Sequence, residues 1–262
     1  MKLPLYQLDA FSGRLFAGNP AAVCPLARWL PDATMQTIAA ENNLSETAFL
    51  VPEGADFGLR WFTPTVEVDL CGHATLASGK VVFERLRPGS AAVRFHTKSG
   101  ALGVAKKGDW LELDFPARPA KPCDAPAVLL DALGGNPREV RKGVRDYLVV
   151  YGSEAEVLAL RPEFAALATL DGASVIVTAE GDEADFVSRF FAPSHGVDED
   201  PVTGSAHCVL TPYWAERLGK RTLDARQVSK RGGVLRCELR GERVGIAGQA
   251  VFYLEGTIEV PG

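Results

Sequence analysis

The chain repeats itself at the scale of half its length, and this repeat limits what it can fold into more than any single motif does. The stretch FTP at 62–64 returns as FAP at 191–193, and Gly-His-Ala at 72–74 returns as Gly-Ser-Ala at 204–206. Each Gly triplet is followed at the same distance by Glu-Arg-Leu, and later by GALGVAKKG in one copy and GVLRCELRG in the other. The four pairs keep one order, with offsets between 129 and 133 residues. We infer a duplication, which predicts two similar domains.

Each copy contains a segment that is too apolar for a surface helix. Residues 72–83 carry a single charge, on Lys80, and residues 204–215 carry none when histidine is neutral. A helix that is apolar on every side is buried, and the runs AVRFHT, WLELDF, VIVTA and RVGIAGQAVFYLEGTIEV around these segments predict strands. The simplest packing is an α/β (α+β) fold with two pseudo-repeated domains, each a barrel-like mixed β-sheet wrapped around a central helix. Pro212 is expected to remove a hydrogen bond from the second helix and kink it.

The domain boundary is predicted in PARPAKPCDAP, where proline occurs four times without apolar periodicity. Such a stretch suits an extended linker. We predict domains at 1–117 and 124–249 with a linker at 118–123, and the strand near 250–262 is a candidate to join the first domain. A further helix is expected at 153–170, with Ser153 as its cap and a break at Pro162.

Charge and composition exclude several classes of function. The chain has 28 basic and 33 acidic residues, a formal charge of −5 and no basic cluster, which excludes a nucleic-acid footprint. No apolar run approaches the ~20 residues of a membrane span, and the N-terminus does not resemble a signal peptide. An odd number of scattered cysteines argues against a disulfide framework. The sequence therefore predicts a cytoplasmic protein with reduced thiols at Cys24, Cys71, Cys123, Cys208 and Cys237.

The starts of the two buried helices are candidate anion sites. Gly72 and Gly204 follow acidic, strand-like sequence, and glycine lets a ligand approach the backbone closely. The free N–H groups of a first helical turn attract negative charge. His73 and Ser205, each directly after its glycine, would then flank a small acidic ligand. The alternative is that both glycines simply begin helices.

Two carboxylates are candidates for moving protons. Glu46 begins a predicted strand on which Ala48 and Leu50 share its face, so its carboxylate is expected to lose hydration, which suits it to acid–base work near neutral pH. The alternative is a Glu at the end of a strand, exposed to water. Asp200 lies five residues before Ser205 and precedes a proline. It is either a second proton-handling or substrate-anchoring group, or an Asp that orders its loop.

Thiol, metal and cofactor chemistry are not predicted. Cys71 and His73 are two residues apart, and side chains at that spacing do not face each other on a helix, so a thiol hydrolase is disfavoured. The spacing of Cys71, His73, His207 and Cys208 does not match common zinc sites. The sequence has neither a GxGxxG motif after a strand nor a Walker loop, and no cofactor is implied.

Several motifs together resemble the PhzF-like family, named for phenazine biosynthesis. They are NLSETAF, FTPTVEVDLCGHATLASG and RFFAPSHGVDEDPVTGSAH, supported by AGNPAAV near the start and VGIAGQAVFYLEG near the end. The resemblance spans nearly the whole chain. It implies a diaminopimelate-epimerase-like fold, with a site in the cleft that separates the two halves.

The resemblance also implies a reaction and a set of residues. The family's catalytic glutamate falls on Glu46, which would take a proton from one carbon of a small anionic metabolite and return it to another without a cofactor. The other catalytic positions fall on His73, Asp200 and Ser205. Homodimers are implied as well. The implied substrate-binding residues are Gly72, Ala74, Gly204, Thr203 and Asn19.

Two departures leave alternatives open. Diaminopimelate epimerases use two opposed cysteines, whereas here Cys71 is matched in the second copy by Glu199-Asp200-Pro201, which disfavours a two-thiol amino-acid racemase. The stretch QVSKRGGVL at 227–235 differs from the Gln-Gly and Gly-Arg-Pro-Ser expected there, which leaves its substrate contacts open. A protein that binds a small ligand without turning it over is the third alternative.

Overall fold

The structure of the protein is a computed structural model that describes residues 1–261, and strands dominate it. The strands are β1 (Lys2–Ala10), β2 (Asn19–Pro25), β3 (Glu46–Glu53), β4 (Asp56–Phe62), β5 (Glu67–Val68), β6 (Ala92–Thr97), β7 (Gly100–Lys107), β8 (Trp110–Pro116), β9 (Lys121–Pro122), β10 (Glu139–Lys142), β11 (Asp146–Val150), β12 (Ser174–Glu180), β13 (Phe186–Ala192), β14 (Val197–Asp200), β15 (Thr222–Gln227), β16 (Gly233–Arg240), β17 (Arg243–Gly248) and β18 (Ala250–Glu259). The α-helices are α1 (Asp32–Asn42), α2 (Gly72–Val81), α3 (Ala127–Leu133), α4 (Glu154–Ala159), α5 (Phe164–Leu167) and α6 (His207–Leu218). In the described residues, none of these helices has the length and apolar character needed to cross a membrane.

The chain divides into two compact units. One comprises Met1–Asp114 with Ala247–Gly262, and the other comprises Phe115–Ile246. The strand predicted near 250–262 forms as β18 in the first unit and pairs with β1, and Gly262 lies outside the described residues. The domain boundaries proposed from the sequence stay a prediction, because compactness alone does not establish which segments fold independently.

Strand pairing follows one scheme in both units. In the first, β1 is antiparallel to β2, β2 is parallel to β3, β3 is antiparallel to β4, β4 is parallel to β6, and β6 is antiparallel to β7. In the second, the same alternation runs through β10, β11, β12, β13, β15 and β16. Two sets of six strands with the same order of antiparallel and parallel pairs confirm the predicted mixed fold class with two similar domains.

The first buried helix is α2, and its environment explains its composition. It packs against β1, β2 and β3, which begin the pairing order of the first unit, and against β7, which ends it. All its residues from His73 to Val81 are buried except Lys80, which reaches out to pair with Glu84 at 2.7 Å. The helix continues as a turn of π-helix over Val82–Leu86. A helix enclosed in this way exposes no polar face, as its sequence predicted.

The second buried helix begins differently from the prediction. Gly204 opens the helical run, but Gly204–Ala206 form a 3₁₀ turn and α6 starts at His207. In an α-helix the backbone N–H of His207 would donate to the carbonyl of Thr203, whereas here the side-chain Nδ1 of His207 donates to that carbonyl at 2.9 Å. The backbone N–H of His207 donates instead to Gly204. A tighter first turn is the consequence.

Pro212 lies inside α6, and the helix continues through it. Proline cannot donate to the carbonyl of residue 208, four positions earlier. The backbone N–H of Arg118 donates to that Cys208 carbonyl at 2.8 Å. A residue ninety positions away along the chain therefore satisfies the group that Pro212 leaves free.

Candidate functional site

Glu46 begins β3, directly after the turn that ends α1. It is level with Ala21 on the parallel neighbour β2. Ala48 and Leu50, which share its face of the strand, are completely buried. The Glu46 side chain itself is 17% exposed. A carboxylate at the edge of an apolar face, as the sequence predicted, retains only part of its hydration.

Glu46 and His73 form a buried ion pair. His73 is the second residue of α2 and its side chain is 6% exposed, and its Nε2 lies 3.0 Å from Oε2 of Glu46. Oε2 accepts no hydrogen bond of good geometry from the described residues. The distance is that of an ion pair, and Oε2 itself is buried.

Cys71 also contacts the His73 ring, which contradicts the prediction from spacing. Its Sγ lies 3.5 Å from Nδ1 and 4.0 Å from Nε2 of His73. Side chains two residues apart on a helix diverge, but Cys71 precedes the helix as its N-cap, with extended backbone at φ −144° and ψ 114°. The thiol, the imidazole and the Glu46 carboxylate therefore form one cluster, with ligand atoms within 4.8 Å of one another.

Burial and neighbouring groups set the protonation of this cluster. Burial, helped by the negative charge of Glu46, raises the pKa of the Cys71 thiol to about 11. Burial opposes a charged His73, yet the interactions of the ring with Cys71 and Glu46 outweigh that cost, and the pKa of His73 is raised well above its usual range. Because the thiol is neutral near pH 7, the neighbouring Glu46 is the group that favours the imidazolium.

An ion-pair network holds the segment that leads into α2. Arg60 on β4 binds Glu67 with two hydrogen bonds, of 2.7 and 2.8 Å, and Lys98 adds another. These contacts lower the pKa of Glu67, the Arg60 hydrogen bond being the largest cause. Ser99 donates to the carbonyl of Asp69 at 2.7 Å. The segment that precedes Cys71 is therefore held at Glu67 and at Asp69.

The remaining predicted residues of the first unit lie next to the ion pair in sequence or across the sheet. Gly72 and Ala74 flank His73 in the first turn of α2, where backbone N–H groups lack intrahelical acceptors. No side chain caps that turn, since Cys71 makes no capping hydrogen bond. Asn19 is fully buried at the start of β2, and its Oδ1 accepts from Ser45, the residue before Glu46, at 3.2 Å. Asn19 therefore holds the strand start that carries Glu46.

The predicted residues of the second unit form their own cluster. Asp200 ends β14 opposite Phe190 of β13, and the hydroxyl of the buried Thr203 donates to its Oδ2. Gly204 and Ser205 open the 3₁₀ turn that follows. Asp200 thus orders its own turn, which is the alternative that the sequence left open.

Sequence reasoning missed Gln227, the last residue of β15. Gln227 is 1% exposed, and its amide bonds to both ends of the turn from Asp200 to Thr203. A signal was present, because Leu223, Ala225 and Gln227 alternate on one face of the strand and the first two are fully buried. A long polar side chain on a buried face must find hydrogen-bond partners.

His207 is a buried neutral histidine. It is fully buried against Phe186, and its Nδ1 donates to the Thr203 carbonyl. Burial lowers its pKa from 6.5 to about 4, which the Thr203 hydrogen bond only partly offsets. Below pH 6.5 the unfolded chain binds a proton that the folded chain does not.

This pKa predicts a loss of stability in acid. The stabilisation linked to His207 is complete above pH 6.5 and is lost as the pH falls toward 4, for a total of about 3 kcal/mol. In His207→Asn, whose amide nitrogen can still donate to Thr203, we expect the free energy of unfolding to depend less steeply on pH in that window. Urea unfolding from pH 4 to 7 measures this. The exposed His195 offers the control His195→Gln, and an unchanged slope in His207→Asn would contradict the assignment.

Glu46, Cys71 and His73 also form a set of metal-type donors. Their ligand atoms lie within 4.8 Å of one another. A divalent cation would need a thiolate and a ring nitrogen with a free lone pair, so its binding would have to displace the protons of both groups.

Comparisons with known proteins cover nearly the whole chain. Residues 8–256 match the family model described as phenazine biosynthesis-like protein. A Pseudomonas aeruginosa protein described as an uncharacterized isomerase is 54% identical over 260 residues, 99% of this chain and 100% of its own. The crystal structure of a PhzF-family phenazine biosynthesis protein from Enterococcus faecalis matches with a TM-score of 0.97 at 48% identity, over 99% of this chain and 100% of that one. A hydroxyproline epimerase from Agrobacterium vitis matches with a TM-score of 0.62 at 12% identity, over 98% and 91% of the two chains, a likeness in fold alone.

Proposed function

This chain belongs to the phenazine biosynthesis-like PhzC-PhzF family and is an isomerase, and from that premise we propose that it moves a proton from one carbon to another in a small carboxylated substrate, without a cofactor. Glu46 is the general acid and base. The observation that carries the proposal is the buried contact of 3.0 Å that joins the Glu46 carboxylate and the His73 ring.

The ion pair suits proton transfer at carbon. Glu46 offers a carboxylate that can accept a proton from an acidic C–H bond, and His73, 3.0 Å away, can hold the position of that carboxylate before and after the transfer. Returning that proton at a second carbon completes an isomerisation.

The start of α2 suits the negative charge of the substrate. The first-turn amides of Gly72, His73 and Ala74 and the imidazolium of His73 are positive groups beside the base. Negative charge that develops next to a carboxylate during proton removal would be stabilised by such fixed donors. A small anionic metabolite is therefore the proposed substrate class.

The proposal keeps the second cluster as part of the reaction. Ser205, Thr203 and the backbone at Gly204 are proposed to bind the substrate, and Asp200 is proposed to anchor it or to handle a second proton. Asn19 supports the Glu46 strand. A crystal structure with bound malonate that shows no contact to either cluster would overturn the assignment of the binding residues.

Solvent exchange tests the reaction itself. Proton NMR in D₂O follows deuterium entering maleate, itaconate, proline and trans-4-hydroxy-L-proline, a panel of small dicarboxylates and cyclic amino acids. We expect the wild-type protein to label at least one compound at a carbon next to its carboxylate or conjugated with it. A panel compound that binds but takes up no deuterium would favour the alternative of a binding protein without turnover.

An amino-acid racemase is the second candidate, because Cys71 contacts His73. The raised pKa of Cys71 opposes this candidate, because the thiol is protonated near pH 7 and cannot act as a base. In Cys71→Ser we expect exchange to stay within about threefold of wild type, whereas a thiol mechanism would lose about 10³-fold. Cys24→Ser, which puts a hydroxyl at an equally buried position on β2, controls for structural damage. A collapse of the rate in Cys71→Ser alone would move the chemistry to the thiol.

The proposed setting is the cytoplasm, with the chain acting in a biosynthetic process as a homodimer. Five free thiols, four of them buried, are consistent with a reducing compartment. Light scattering that gives the mass of a single 28.1 kDa chain at micromolar concentration would contradict the dimer.

A further inference from the structure

The side-chain amide of Gln227 makes three hydrogen bonds to one turn. Its Oε1 accepts from the backbone N–H of Thr203 at 2.8 Å, and its Nε2 donates to the carbonyl of Asp200 at 2.7 Å. Nε2 also lies 3.3 Å from the Thr203 hydroxyl oxygen. One buried side chain thereby ties the first residue of the turn to the last.

Two further side chains complete the support of this turn. Ser229 donates to the Pro201 carbonyl at 2.7 Å, and its hydroxyl accepts from the N–H of Gly232. His207 donates to the Thr203 carbonyl from the other side. The carbonyls of Asp200, Pro201 and Thr203 each have a different side-chain donor. An irregular segment with its backbone satisfied in this way has few alternative conformations.

The support reaches the carboxylate of Asp200 through Thr203. The Thr203 hydroxyl donates to Asp200 Oδ2, and Gln227 holds Thr203 at both its backbone N–H and its hydroxyl. If the amide of Gln227 were lost, the buried Thr203 N–H would lose its acceptor and the Asp200 carbonyl would lose one donor, and the turn would move to satisfy the N–H.

We propose that Gln227 is a positioning residue, which holds Asp200 and Thr203 in the arrangement that the reaction requires. The inference rests on the proposed function, in which both residues take part. It also assigns a role to the first residues of the 227–235 segment, which departs from the pattern expected from the family. Residues 227 and 229 act on the turn that carries Asp200 and not on the substrate.

The test compares Gln227→Met with Thr178→Val. Methionine preserves the length of the side chain and removes all three hydrogen bonds. Thr178 is equally buried in the same unit, where its hydroxyl donates to Val187 and accepts from Trp214, so its loss matches the structural damage without touching the turn. For the panel compound that the wild type labels fastest, we expect kcat to fall about 10²-fold in Gln227→Met, with KM within about threefold. Thr178→Val should stay within about threefold of wild type on both constants, at a similar loss of Tm.

A second readout needs no substrate. Amide hydrogen exchange at Thr203 should be at least about tenfold faster in Gln227→Met than in Thr178→Val, because the N–H loses its buried acceptor. Gln227→Glu keeps that acceptor, so its kcat and its exchange rate at Thr203 should lie between those of the wild type and of Gln227→Met.

The outcomes separate the inference from the proposed function. Unchanged protection of the Thr203 amide in Gln227→Met overturns the inference whatever the activity, and so does a loss of kcat no larger than in Thr178→Val. A wild-type protein that labels no panel compound counts against the proposed function, while the exchange at Thr203 still decides whether Gln227 holds the turn.

Discussion

Glu46→Gln should lower the rate of deuterium exchange into substrate by about 10³-fold at pH 7 and leave the fold intact. The amide has the size of the carboxylate but cannot accept a proton from carbon. It also removes the charge paired with His73 at 3.0 Å, so the pKa of the ring should fall in the same variant. Proton NMR in D₂O with the wild-type substrate measures the rate, and circular dichroism and Tm establish that the protein is folded.

Glu53→Gln is the matched control for this loss. Glu53 ends the same strand, β3, and is exposed, so the same chemical change there removes a carboxylate without touching the ion pair. We expect its exchange rate to equal that of the wild type. Glu46→Gln retaining more than about a tenth of the wild-type rate would remove Glu46 from the general acid and base role.

The largest loss of stability is expected in Gly18→Ala, by about 3 kcal/mol. Gly18 has φ +68°, and a Cβ there would lie 2.2 Å from the carbonyl oxygen of Ala10 and 2.9 Å from Cβ of Ser12. Ala10 is paired in β1 with both β2 and β18, so its carbonyl cannot move away without breaking the sheet. Gly18 directly precedes Asn19, and the shift should also disturb the Glu46 strand start. Urea unfolding measures the free energy.

Gly54→Ala separates the steric clash from the cost of the backbone conformation. Gly54 has nearly the same backbone, φ +63°, and a Cβ there would meet nothing within 4 Å. We expect a loss of about 1 kcal/mol from the left-handed conformation alone. Equal losses in the two variants would show that the contact with Ala10 contributes nothing.

The repeated architecture was predictable because it depends on patterns that local sequence carries. The echoes at offsets of 129 to 133 residues reflect one order of strand pairing used twice. The two segments with almost no charge form α2 and most of α6, because an enclosed helix has no polar face. Ser153 caps α4 as predicted, its hydroxyl accepting from the N–H of Glu156 at 3.2 Å. Capping and burial are decided within a few residues, so a single sequence is enough to read them.

Features that depend on distant contacts were not predictable. The helix starting at Gly204 has a 3₁₀ first turn because the side chain of His207 occupies the Thr203 carbonyl, and Pro212 is tolerated because Arg118 donates to the carbonyl it frees. The sequence shows neither partner. Pro212 predicts a kink and the apolar pattern predicts a regular helix start, but the neighbours in three dimensions decide how the helix forms.

The candidate site divides in the same way. Glu46 and His73 were predicted separately, and their contact required the sheet that brings the start of β3 beside the start of α2. The Cys71–His73 contact was missed because helix spacing was applied to a residue that lies just before the helix. Gln227 could have been found from its place on a buried strand face. Its partners Thr203 and Asp200 lie 24 and 27 residues earlier in the chain, so the sequence does not show that they meet.

The protonation state of His73 decides whether the ion pair exists, because the proposed reaction requires an imidazolium beside the Glu46 carboxylate. Nitrogen-15 NMR of the wild-type protein labelled at histidine, recorded at pH 7, reports it without any substrate. The account predicts that both ring nitrogens of His73 are protonated, while His207, whose pKa is about 4, gives the signals of a neutral ring in the same spectrum. A neutral His73 at pH 7 would contradict the ion pair on which the proposed reaction depends.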